Sequence, residues 1–189
     1  LDTGAIPDIL QKALQVSFDR NVGHDYIEDF SNRFDFYHKK EEKIPFDIPM
    51  LNTITNGGIT NKTLNIILAG TGVGKSLAMC HFASAALDQG KNVLYITLEM
   101  AEERIAERID ANLMDVEIDQ LNALSKNQFE SHIDKIKSKT RGRLIIKEYP
   151  TASAHTGHFR ALLNELELKK DFKPDIIFID YLNICASSR

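Results

Sequence analysis

In IPDILQKALQVSF (residues 6–18) apolar side chains recur at Ile6, Leu10, Ala13 and Leu14, with Ile9 and Val16 beside them. This spacing predicts a short amphipathic helix. Pro7 suits its first turn and Asp8 its positive end. Asn21, Val22, Gly23 and His24 break the pattern. A polar, aromatic stretch follows over 25–42, carrying Tyr26, Phe30, Phe34, Phe36 and Tyr37. Part of it reads as helical, and its end, HKKEEK, reads as a solvated link. From Phe46 the texture changes. FDIPMLNTITNGGITNKT turns at Gly57 and Gly58. LNIILA (64–69) is a nearly continuous apolar run, the pattern of a fully buried strand. A helix is predicted over 75–88, ending near Gly90, and a second buried strand over 92–98. A charged helix follows over 101–113 and another over 126–139. A short strand is predicted at 144–147, a helix at 157–170, and a final apolar strand at 175–179. Strands alternating with helices in this order predict a mostly parallel sheet covered by helices on both faces. There is no internal repeat.

Composition narrows the class without setting it. Of 189 residues, 43% are hydrophobic and 26% charged, with 10 Gly and 5 Pro. Disorder and fibrous repeats are excluded, and one main domain is expected. No apolar run approaches the roughly 18 residues of a membrane span, and the first residues lack the layout of a secretory signal. Cys80 and Cys185 sit in apolar runs and form no close pair, which reads as two buried thiols in a reducing, cytoplasmic compartment (the host's, if the chain is phage-encoded). Net charge is 23 − 27 = −4, which by itself argues against a nucleic-acid coat. The charge is uneven: residues 1–50 carry 6 basic and 10 acidic groups, 51–125 carry 5 and 9, and 126–189 carry 12 and 8.

The chemistry begins after the first apolar run. AGTGVGKS (69–76) fits G-x-x-x-x-G-K-[ST] except that Ala69 stands at the first glycine. Thr71, Gly72, Val73, Gly74, Lys75, Ser76 and Leu77 form the candidate nucleotide-binding loop. Glycines let successive amide groups turn toward phosphate oxygens, and the helix that follows adds its positive end. Lys75 can reach the β- and γ-phosphates, and the Ser76 hydroxyl can ligate Mg²⁺. A plain Gly-rich turn explains the glycines but not a Lys-Ser pair at a helix start.

Two acids stand at strand ends. DIIFID (175–180) is an apolar strand closing on Asp180, a position that can hold the Mg²⁺ shell directly or through water. Beside a phosphate loop this reading is favoured over a strand-terminating turn residue. Glu99 closes the second strand in YITLEM. It is read either as the base that activates the attacking water or as an acid capping the helix at 101–113. Spacing leaves both open.

The order AGTGVGKS, ITLEM, IIFIDYLN, preceded by FDIPMLNTITNGGI, resembles the ATPase core of DnaB-like replicative helicases, most closely the T-even phage type. The resemblance covers residues 46–189 well and 1–45 more loosely. It implies a linker helix at 1–20, a connector at 21–45 and a RecA-like P-loop NTPase core at 46–189, incomplete at its C-terminal side. It implies hydrolysis of ATP or GTP with Mg²⁺, a homo-hexameric ring moving on single-stranded DNA, and a primase and a helicase loader as partners. It also implies that Glu99 is the catalytic base, acting with Lys75. Arg108 matches a recurrent family Arg of open role, against which stands a solvated surface residue. The 6–18 helix either docks on a neighbouring subunit or packs on its own domain.

The family's later sensor, DNA loops and arginine finger follow its Walker B strand, whereas this chain has nine residues after Asp180. The expectation is a fragment that binds nucleotide and hydrolyses it weakly, since an arginine finger is worth about 10³–10⁵ in rate. Lys135, Lys137, Lys139, Arg141 and Arg143 read as helix C-terminal cations rather than a phosphate contact, because no aromatics interleave with them. His155 and His158 read as turn and cap residues, and the 30–37 aromatics as packing. The alternatives are another RecA-type ATPase (a recombinase or clock-type enzyme), a P-loop small-molecule kinase, and a non-enzymatic assembly module. The linker-like start disfavours the first. The second lacks an Arg-rich lid between Met100 and Asp180. Intact Lys75, Ser76, Glu99 and Asp180 disfavour the third.

Overall fold

The computed structural model describes residues 23–187, which divide after Glu41 into two units. The helix expected at 6–18 lies outside the described residues. In the first unit, helix α1 (Phe30–His38) supplies the partial helix expected there. Ahead of it the Asp25 carboxylate accepts the N–H groups of Glu28 and Ile27, both at 2.9 Å, and these bonds hold its carboxyl below the ordinary range. Phe30, Phe34, Phe36 and Tyr37 are all exposed. The packing role expected of them is therefore not seen among the described residues.

The second unit opens with β1 (Lys43–Ile44), α2 (Pro49–Ile54) and β2 (Ile59–Thr60), and β1 pairs antiparallel with β2. Then follow α3 (Lys75–Asp88), β3 (Val93–Thr97), α4 (Glu102–Met114), α5 (Ile118–Leu121), α6 (Lys126–Lys139), β4 (Leu144–Glu148), α7 (Thr156–Lys170) and β5 (Ile176–Asp180). The helices and strands expected from residue 75 onward form within one or two residues of their predicted ends. The two-residue strands, α2 and α5 carry too little periodicity to be read from sequence.

The main sheet has the order β4–β3–β5 and is parallel throughout. All five residues of β3 are buried, as a central strand covered on both faces requires. Side chains alternate across it. Val93 and Tyr95 pack with Cys80, Ala83 and Leu87 of α3, Ile105 and Ile109 of α4, and Phe178. Leu94 and Ile96 pack on the opposite face with Leu166 of α7 and Phe172.

Polar side chains lock the ends of these elements. Asn92 donates its N–H to Asp175 Oδ2 at 2.7 Å and its side-chain amide to the Lys173 carbonyl at 3.1 Å, and its Oδ1 accepts the Arg143 N–H at 3.1 Å. One residue thus ties together the starts of all three strands. Arg143 donates to the carbonyls of Lys170 and Asp171 and lies 5.2 Å over the Phe172 ring. Lys137 pairs with Asp134 at 3.6 Å. These two members of the basic cluster serve helix ends, as expected. His155 and His158 form the reciprocal N-terminal cap of α7.

One expectation fails. Residues 64–69 do not form a buried strand. They pair with nothing, and Leu64 and Leu68 are 83% and 94% exposed. An apolar run becomes a buried strand only where a neighbour takes its backbone groups and both of its faces are covered. Among the described residues neither condition is met, and the β5 edge away from β3 carries no strand.

Gly58 holds φ at +122°, and a Cβ there would collide with the Ile44 carbonyl. Gly58→Ala is therefore expected to destabilise the second unit by about 2 kcal/mol or more. A lowered denaturant midpoint with an unchanged slope checks this.

Candidate functional site

The loop before α3 owes its shape to two glycines. Gly72 and Gly74 have φ of +76° and +102°, and Gly74 is the left-handed N-cap from which Lys75 starts the helix. Side-chain-bearing residues rarely adopt that conformation. The first turn of α3 has neither an acid nor a capping side chain, so its amide donors and positive end remain available to an anion. Thr71, Gly72 and Val73 are exposed. Gly74, Lys75 and Ser76 are half-buried, and Leu77 is exposed. The Lys75 ammonium lies 3.9 Å from the centroid of the Tyr181 ring. It is thereby brought beside the end of β5, where Asp180 is Tyr181's neighbour.

Asp180 is buried at 1% exposure. Its backbone is fixed by register: Thr97 stands opposite it, and its carbonyl accepts the Leu98 N–H at 2.9 Å. Its Oδ2 accepts the Tyr95 hydroxyl at 3.0 Å, while its Oδ1 is buried without any partner. A buried anionic oxygen left in this state is costly. It fits the donor set of a hard cation. No cluster of three or more His, Cys, Asp or Glu exists among the described residues. Mg²⁺ needs none, because it is commonly held by one or two carboxylates, waters and substrate phosphates. Asp180, the Ser76 hydroxyl and the phosphates of a bound nucleotide would suffice.

Behind Asp180 the Tyr95 hydroxyl also accepts from the Cys80 thiol at 3.9 Å. Burial, foremost, pushes the Tyr95 phenol far above its ordinary value, with Cys80 and Asp180 adding to the shift. Burial also raises the Cys80 thiol, partly offset by the Tyr95 hydrogen bond and the Arg108 charge.

Glu99 follows β3 by two residues and is exposed. The turn carrying it is fixed from several sides. Thr97 Oγ1 accepts the Met100 N–H at 3.1 Å and donates to the Met100 carbonyl at 2.8 Å. Thr151 Oγ1 donates to the Leu98 carbonyl at 2.8 Å, and the Tyr149 N–H to the Thr97 carbonyl at 2.9 Å. Glu99 does not cap α4, whose N-cap is Ala101 without a side-chain bond. The acid used at that helix start is Glu102, whose carboxylate accepts the Glu148 N–H at 2.8 Å. Arg108, half-buried, lines an open groove of about 790 Å³ together with Leu77, Cys80 and His81.

Tyr95, Thr97 and Tyr181 were not singled out from sequence. The signal for the first two was a polar group within a strand otherwise built for burial. Tyr181 gave none, because its contact with Lys75 spans more than a hundred residues.

The sequence matches the DnaB-like helicase C terminal domain over residues 44–189. It is 50% identical over 191 residues to the DnaB-like replicative helicase of Enterobacteria phage T4, covering all of this chain and 40% of that protein. It is 31% identical to a probable plasmid replicative DNA helicase of Chlamydia psittaci, over 66% of this chain and 27% of that one. The chain thus spans well under half the length of these relatives. Two solved structures share the fold, each with a TM-score of 0.62 and 16% identity: a DnaB-like replicative helicase studied with its interactions with primase, and an isolated ATPase domain. They cover 97% and 100% of this chain, which in turn covers 44% and 61% of theirs.

The buried thiol and phenol give the site a pH signature. Both groups are raised in the folded state. Their contribution to stability is therefore whole below the unfolded-state values, about 8.5 for a thiol and about 10 for a phenol, and is lost as pH climbs past them. Stability is expected to fall from about pH 8.5 upward, more steeply beyond about 10. In an alkaline titration followed by phenolate absorbance, Tyr95 should ionise only as the fold is lost.

Proposed function

Because the chain belongs to the DnaB-like helicase C-terminal domain family, we propose that it is the NTP-hydrolysing part of a replicative DNA helicase. The reading is ATP or GTP hydrolysis with Mg²⁺, used in a homo-hexameric ring to move on single-stranded DNA and open duplex. Primase and a helicase loader are the proposed partners. The observation that carries it is Asp180, buried at the carboxyl end of β5 with one oxygen unpartnered. Open parallel sheets bind ligands at that edge.

In this reading the amides of Thr71, Gly72, Val73 and Gly74 and the start of α3 cradle the phosphates. Lys75 leaves the Tyr181 ring to pair with the β- and γ-phosphates. The cation neutralises charge on the transferring phosphoryl group. Ser76 and Asp180 hold it, Leu77 continues the loop into the helix, and Glu99 takes a proton from the attacking water. The Glu99 carboxylate makes no hydrogen bond or ion pair among the described residues, so it is free for that task. Its rigid turn would limit the entropy lost when it is aligned.

Two variants test the reading in the assembled helicase. Lys75→Ala is expected to weaken triphosphate binding at least tenfold in a fluorescent-nucleotide titration. Glu99→Gln should bind within about threefold of wild type while turnover falls by about 10²–10⁴. Turnover unchanged in Glu99→Gln would remove Glu99 from the base role.

A further inference from the structure

Asp180 is held by only one of its two oxygens, and the group holding it is unusually well fixed. Tyr95 sits two residues before Thr97 on β3, opposite Phe178 and diagonal to Asp180. Residues two apart on a strand share a face, and a long side chain reaches its diagonal neighbour. The Tyr95 ring stacks on Phe178 at 5.9 Å with planes 17° apart, and Tyr95 is wholly buried. The Cys80 thiol, from the second turn of α3, meets the hydroxyl from behind. The phenol has one proton to give, and it goes to Asp180 Oδ2.

We propose that Tyr95 is a positioning residue for Asp180, its hydroxyl claiming Oδ2 so that Oδ1 is the oxygen presented to the Mg²⁺ shell of a bound nucleotide. This rests on the reading of Asp180 as the cation's acid. A carboxylate without that donor can rotate about its last bond and share its charge between both oxygens. The cation then has to order it at the moment of binding. A phenol present only to satisfy a buried acid would affect stability and leave the Mg²⁺ requirement alone.

The discriminating measurement is the Mg²⁺ concentration that half-saturates triphosphate binding, taken by fluorescent-nucleotide titration alongside binding in excess EDTA. Tyr95→Phe keeps the ring and removes only the hydroxyl. It should raise the Mg²⁺ half-saturation fivefold or more, with EDTA binding within twofold of wild type. Asp180→Asn should raise it at least as much, and adding Tyr95→Phe to Asp180→Asn should change it by less than twofold. If Asp180→Asn raises the requirement and Tyr95→Phe does not, the positioning role is overturned while the role of Asp180 stands. If Asp180→Asn itself changes nothing, both fall. Wild-type protein labelled with ¹³C at the tyrosine ζ carbon decides the matter should Tyr95→Phe not fold. There are five tyrosines in the chain. The Tyr95 resonance should move when Mg²⁺ is added to the nucleotide complex, and a stationary resonance overturns the proposal.

Discussion

Asn92 holds the starts of three strands in one register, and the arrangement at their other ends follows from it. Its amide, carbonyl and backbone groups reach Lys173, Asp175 and Arg143, so β5 and β4 cannot slip against β3. A parallel ladder spaces residues evenly. Five residues later, the register sets Thr97 opposite Asp180 on one side and Glu148 on the other. A slip of one residue would turn Asp180 to the α7 face, far from the helix that starts at Lys75. Chemistry at one edge of the sheet is thus set by side-chain hydrogen bonds at the other.

The same sheet divides its labour by face. Toward α7 it is apolar, with Leu94 and Ile96 against Leu166 and Phe172. Toward α3 and α4 the apolar pattern is interrupted by Tyr95, Thr97 and Asp180, all buried. Burying such groups costs free energy unless each is hydrogen-bonded. Tyr95 and Thr97 are fully provided for, and Asp180 half so. Leaving one buried oxygen unmatched costs on the order of 1–3 kcal/mol, a cost that a cation would relieve. The free protein is therefore less stable than its packing permits, in favour of a site ready to bind.

Much of this was legible in the sequence, for reasons that can be named. Helices such as α4 and α6 carry their period and ends locally, and the parallel α/β class follows from alternation. Gly74, Lys75 and Ser76 announce their chemistry by spacing, and Asp180 by ending an apolar strand. What could not be read was pairing. The run at 64–69 has the composition of a buried strand, but a strand also requires a neighbour, and composition is silent about neighbours. The partnership of Tyr95 with Asp180 crosses 85 residues, and that of Asn92 with Lys173 crosses 81. Glu99 and Glu102 illustrate the converse: both lie near the start of one helix, and only the three-dimensional arrangement shows that Glu102 engages Glu148 there while Glu99 stays clear.

The exposed run at 64–69 has a colloidal meaning as well as a conformational one. It holds no charged residue, proline or glycine, and its backbone groups are unpaired. This is the kind of segment that strands of other molecules adopt as a template. The open side of β5 offers a second such edge. What keeps molecules apart is then long-range repulsion. A net charge of −4 and an isoelectric point near 5.9 make that repulsion modest at neutral pH and absent under mildly acidic conditions. Added salt screens it further. Dispersed chains therefore belong to dilute, low-salt, near-neutral solution, and acidification toward the isoelectric point favours association through this strip.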